Sequence, residues 1–168
     1  MSIATSMLPE LDMEMKNTRR VLERLPESKF EFKPDPKSFS LQDLGSHVAN
    51  MAGWGAMTLN TESFDVAPVG QPPMKYPPFT SVAAMLETFD RNVADFRSAL
   101  AAADDAAMMK PWSLLVAGNA SFTMPRAAVL RSMIMNHLIH HRAQLTVYLR
   151  LLGEPVPALY GPSADESN

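Results

Sequence analysis

From Leu130 to Leu152 the chain repeats apolar residues at steps of three and four, yet it sets histidines into the same register. At 100° per residue, Leu130, Met133, Ile134, Leu138, Leu145, Tyr148 and Leu152 share one helical face. His141 falls near the middle of that face and His137 about 40° to one side of it. His140 projects about 60° the other way from His137, toward the flank. A helix of this kind restricts its own surroundings. Each neutral imidazole brings one donor and one acceptor, and an unpaired polar group in an apolar interior is costly. Two histidines at i, i+4 on one face can reach a common metal ion. A third ligand must come from elsewhere, and His47 is the one histidine outside this helix.

The remaining composition narrows the chemistry. With no cysteine among 168 residues, disulfides, thiolate ligands and a cysteine nucleophile are excluded, so a metal must use nitrogen and oxygen donors. A net charge of −3 gives no reason to expect nucleic acid or an anionic membrane as partner. Residues 1–25 mix charges into their apolar pattern and lack a signal-peptide core. No run approaches the roughly 20 apolar residues of a membrane span. The expectation is a cytoplasmic protein of one domain, 1–168, with a polar tail over 158–168 that docks loosely or stays unstructured. The thirteen methionines read as flexible filler of a helical core.

In chain order, Leu8, Leu11, Met15, Thr18, Leu22 and Leu25 form the seam of a first amphipathic helix, which Pro26 ends. Glu10, Glu14, Lys16, Arg19, Arg20 and Glu23 mostly fill its other faces and read as solvated surface. Residues 27–40, with Pro34, Pro36, Phe30 and Phe32, form an extended connector. Ser40 followed by Asp43 starts a second helix running to about Asn60, with Leu41, Leu44, Val48 and Met51 on its seam and His47 beside it, pointing inward. Residues 61–80 hold five prolines and no apolar periodicity, and form a long loop that is either a lid or a plain crossover. Thr80 or Ser81 caps a third helix, whose stripe from Val82 to Leu100 closes at Asp104 and Asp105. Gly118-Asn119 between two short apolar runs suggests a hairpin or a compact loop. Thr123 and Pro125 open the histidine helix, and Gly153 followed by Pro155 and Pro157 closes it.

Four helices joined by long connectors specify an all-α fold, an antiparallel-type four-helix bundle. Bundles build metal and ligand sites from side chains on facing helices. A lone inward histidine is usually a satisfied core residue. Three imidazoles buried together pose three separate bonding problems, and one divalent ion taking a lone pair from each removes them at once. His140 reads as a rim residue and not as a ligand.

Several short stretches also carry a resemblance. They are Asn17-Thr-Arg-Arg-Val-Leu-Glu-Arg-Leu-Pro26, Phe32-Lys-Pro-Asp-Pro-Lys-Ser38, Leu44-Gly-Ser-His47-Val, His137-Leu-Ile-His-His141-Arg142-Ala-Gln144 and Leu152-Gly153-Glu-Pro155-Val-Pro157. Their order and spacing, from about residue 5 to 165, resemble the DinB/YfiT-like family of four-helix-bundle proteins regarded as metalloenzymes. The resemblance implies a divalent metal, zinc or nickel, held by one histidine of helix two and two of helix four. Those positions are His47, His137 and His141, the three that geometry selects. It also implies a homodimer, and relatives that use low-molecular-weight thiols (bacillithiol, mycothiol or glutathione).

The functional expectation is a metal-dependent enzyme in which three histidines leave a coordination position open for water or a substrate thiol. That describes a thiol S-transferase or a hydrolase acting on a small molecule. The alternative is a noncatalytic dimeric metal-binding or stress-response bundle. No general acid or base stands out, so the catalytic residues are left unassigned. Asp43, one turn before His47, could orient its ring, although capping accounts for it more economically. Asn136 and Gln144 flank the pair as groups that could support the ligand rings or meet substrate. Arg142 points away from the core face, toward a surface or dimer contact.

Overall fold

The computed structural model describes residues 2–167, so Met1 and Asn168 lie outside the description. Helix α1 (Ile3–Leu22) begins at Ser2, whose hydroxyl accepts from the Thr5 amide. Leu11, Met15, Thr18 and Leu22 are all buried along its seam. After the connector, Ser40 accepts from the Asp43 amide and starts α2 (Leu41–Met51). Ser81 does the same for α4 (Val82–Ala102). The last long helix, α7 (Asn136–Leu151), stops at Gly153, whose φ of 78° lies in the left-handed region that glycine enters without strain. In space α1 and α2 each pack against both α4 and α7.

The molecule is mostly helical but not all-α. A three-stranded sheet stands beside the helices in the order β1-β2-β3. β1 (Ser63–Asp65) runs parallel to β2 (Pro111–Val116), and β3 (Asn119–Pro125) pairs antiparallel to β2. The hairpin suggested by the Gly-Asn pair is present, with its turn one residue earlier: Ala117 and Gly118 have φ of 51° and 77°. Two-residue hairpins require that backbone. β1 falls in the stretch expected to be loop. A three-residue strand carries no readable alternation, and pairing with β2 supplies its order.

Two helices expected to be continuous are broken. The second stops at Met51 and resumes as α3 (Gly53–Asn60). Asn92 of α4 inserts there and donates to the Ala49 carbonyl at 3.1 Å, taking up a group freed where the helix ends. Beyond the break a Cβ on Gly55 would sit 2.4 Å from the Phe96 ring, so only glycine lets α3 approach α4 this closely. The histidine helix is likewise not one ladder. It comprises α6 (Arg126–Ala128), a π-helical stretch Val129–Met135 and then α7. Wider π turns bring i, i+5 residues onto one side, so Leu130 and Met135 are buried together while Met133, expected in the core, is 39% exposed. A short α5 (Asp105–Met109), capped by Asp104, also follows the third helix where only its end was expected.

Three surface expectations are overturned together. Arg142 is 1% exposed and Glu14 3%. The Arg142 guanidinium donates to the Glu14 carboxylate at 2.7 Å and to the Glu14 backbone carbonyl at 3.0 Å. Tyr160 donates to the same carboxylate at 2.7 Å, accepts from Arg142 and lies beneath the guanidinium. The tail that carries Tyr160 is therefore docked. Glu166 pairs with Arg20 and Arg24, Asp165 pairs with Arg150, and Ala158 is buried. Charge alone could not reveal this, because an amphipathic seam pattern treats every ionised residue as solvated, whereas here each ion has its partner inside. We expect Arg142→Met alone to leave Glu14 as a buried, unpaired carboxylate and to cost about 3–5 kcal/mol. The double variant Arg142→Met, Glu14→Leu should recover most of that loss, as read by urea unfolding.

Candidate metal centre

His47 comes from the second turn of α2, and His137 and His141 from the first two turns of α7, two helices in direct contact. The three rings converge. Their centroids lie 5.4 Å apart for His47 and His137, 4.8 Å for His47 and His141, and 4.7 Å for His137 and His141. One nitrogen from each falls within 4.8 Å of the others, a group that could hold a metal ion. The His137 and His141 Nε2 atoms are 2.9 Å apart. A tetrahedral ion with bonds of about 2.0–2.1 Å holds its nitrogens about 3.3 Å apart, so the rings surround a volume of the right scale.

Their outer edges are fixed as a metal ligand's would be. His141 Nδ1 donates to Gln144 Oε1 at 2.7 Å, which leaves the lone pair on Nε2, facing the centre. His137 is hydrogen-bonded by the backbone of Met133, the last but two of the residues before it in the π stretch. Aromatic rings close the sides. Trp54 lies edge-on to His47 at 5.6 Å, and Phe39 stacks on His47 at 6.0 Å. Tyr148 holds Phe39 in place by donating to its carbonyl at 3.1 Å.

Electrostatics point the same way. Burial lowers the His47 pKa to about 4, with repulsion from His141 and then His137 adding to the effect. His137 is lowered by burial and by His141, and His141 by burial against the opposing bond to Gln144. At neutral pH all three rings are therefore neutral and keep the lone pair that a cation needs.

Of the other residues read from the sequence, Gln144 touches the site and Asn136 does not, since it is bonded to Arg131. Asp43 serves the helix cap, exchanging hydrogen bonds with Ser40, although it shares a cavity wall with His47. His140 is exposed and meets only the edge of His141. Trp54 and Phe39 were missed. Both precede or follow a histidine-bearing seam by less than two helical turns, the one signal that could have flagged them.

Because the folded protein disfavours protonation of these rings, it binds fewer protons than the unfolded chain between the ordinary histidine pKa and the lowered ones. Stability of the metal-free protein is then full above about pH 6.5 and declines as pH falls toward 4. His47→Ala should flatten that decline, measured as denaturation midpoint against pH.

The family model described as the DinB family matches residues 1–168. The chain is 26% identical over 160 residues to the uncharacterized protein YrdA of Bacillus subtilis (strain 168), covering 95% of this chain and 89% of that one. In fold it is similar to a DinB-like protein from Bacillus cereus ATCC 10987, with a TM-score of 0.69 at 22% identity over 91% of this chain and 95% of the other. It is also similar to the DinB-like protein YjoA from Bacillus subtilis, with a TM-score of 0.67 at 15% identity over 90% and 95% of the two chains. A match along the whole chain, together with this fold, leads to one conclusion: the protein belongs to the DinB family.

Proposed function

We propose that the protein is a divalent-metal-dependent enzyme that activates a thiol or water, with His47, His137 and His141 as the ligands. The observation that carries this reading is a trio of neutral, converging imidazole nitrogens that no carboxylate joins among the described residues. Structural sites for zinc are closed by four protein ligands, whereas three ligands leave room for a reactant. Three nitrogen donors suit zinc, nickel and neighbouring ions alike. When bound, such an ion supplies Lewis acidity that lowers the pKa of a thiol or water brought to its open side.

The chain's own residues supply the rest. Gln144 holds the His141 ring in one tautomer, and Trp54 and Phe39 pack against the His47 ring. A cavity of about 640 Å³ reaches His47, and its mostly apolar wall carries Asp43, Ser46 and Lys75, which could meet the polar groups of a hydrophilic thiol. Its outer wall is the 66–80 segment, which is pinned to α2 by the Phe79 amide donating to Ser46 and by Gln42 donating to the Phe79 carbonyl. Nothing on this wall resembles the basic, aromatic-laced surface that nucleic acid requires. Among the described residues no helix is long and apolar enough to cross a membrane. The homodimer implied by the family resemblance belongs to the same proposal, with the exposed Val147 and Leu151 of α7 as its contact residues.

Protein purified without an affinity tag should carry about one divalent ion per chain by elemental analysis. His47→Ala, His137→Ala and His141→Ala should each lose it, and Gln144→Ala should weaken binding roughly 10–100-fold. Full metal content in all three histidine variants would end the reading. With zinc- or nickel-loaded protein, an electrophile and candidate thiols, a rate no greater than that of the free ion would remove the transferase form of the proposal.

A further inference from the structure

A second cavity, of about 250 Å³, lies on the other side of Trp54 and ends at His137. Its walls come from elements that the four long helices do not need: the sheet supplies Phe64, Trp112, Leu114 and Phe122, the π stretch supplies Val129 and Met133, and α3 supplies the floor. No Asp, Glu, Lys or Arg side chain borders it. Within this apolar shell two polar atoms have no partner. They are Trp54 Nε1 and Thr58 Oγ1, one turn apart on α3 and both walling the cavity. Thr58 is 1% exposed. Leaving a buried donor unsatisfied costs free energy, which a ligand with an acceptor would restore.

We propose that this cavity binds the apolar body of the molecule on which the histidine centre acts: an uncharged, compact aromatic or branched compound. One acceptor atom, such as a carbonyl oxygen, would take hydrogen bonds from Trp54 and Thr58. The volume exceeds the ~150 Å³ apolar cavity that accommodates benzene, so a substituted ring fits. Charged ligands are excluded from the metal-free cavity, because no wall residue compensates an ion's desolvation. The arrangement gives the centre two approaches, one at His47 that includes the charged Asp43 and Lys75 and one at His137 with no charged wall residue. That this occupant is the substrate rests on the metal-site reading; that it binds does not.

The test uses the full chain, metal-free and zinc-loaded, with acetophenone, ethylbenzene and benzoate as probes followed by calorimetry. The chain's two tryptophans, Trp54 and Trp112, both wall the cavity, so intrinsic fluorescence gives a second readout. Acetophenone should bind saturably in both forms, ethylbenzene more weakly by roughly tenfold for each of the two hydrogen bonds it lacks, and benzoate not at all to the metal-free form. Thr58→Val keeps the volume and should remove one of the two bonds, weakening acetophenone roughly tenfold while leaving ethylbenzene unchanged. Leu114→Trp fills the cavity from the sheet and should abolish binding of both, while zinc content and the circular dichroism spectrum stay unchanged. No saturable binding of either neutral probe to folded protein overturns the proposal, as does benzoate binding the metal-free protein as tightly as acetophenone. Equal affinities for acetophenone and ethylbenzene overturn the acceptor site. If acetophenone binds but the histidine variants keep their metal, the metal reading falls and the pocket stands. If the variants lose their metal but no probe binds, the reverse holds.

Discussion

Helix α7 is held from two sides at consecutive residues, and that double grip sets the rest. His141 faces α2 and its histidine, while Arg142, about 100° further round, reaches into α1 to meet Glu14 and Tyr160. A buried guanidinium cannot drift, because every displacement leaves ions without partners in a low-dielectric interior. The ion pair therefore fixes the rotation of α7 about its own axis, and with it the direction of the imidazole next door. The docked tail belongs to the same device, since Tyr160 completes the Glu14 carboxylate and Glu166 ties the segment to Arg20 and Arg24.

Around that anchor the site is made by interruption. Each helix bearing a histidine of the candidate site departs from regularity close to it. The α2–α3 break at Ala52 lets Trp54 come against His47. The π stretch ends two residues before His137 and turns Met133 outward to the cavity. Such departures sacrifice regular hydrogen bonding, and they recur where a functional site must be shaped. The small sheet then closes a face that the helices would leave open, and β1 brings Phe64 to the apolar cavity.

Much of the helical frame was legible because burial at a three-four period has few other outcomes. The seams of α1, α2 and α4, the serine caps at Ser40 and Ser81, and the glycine stop at Gly153 all stand where the sequence placed them. The candidate site was legible for a related reason: polar rings at core positions demand one another. Less readable were β1, too short to alternate, and the π stretch. There, apolar residues at 130, 133, 134, 135 and 138 satisfy α and π registers alike.

By itself, then, the sequence determined which helices form and which three imidazoles share an interior, because periodicity and the cost of unpaired polar groups act along a single chain. Only the tertiary structure decided that Glu14 and Arg142 are core residues, that the tail is docked, and that a sheet walls an apolar cavity beside His137. An ion's burial and a cavity's shape depend on partners tens of residues to more than a hundred residues away, and no local pattern records those distances.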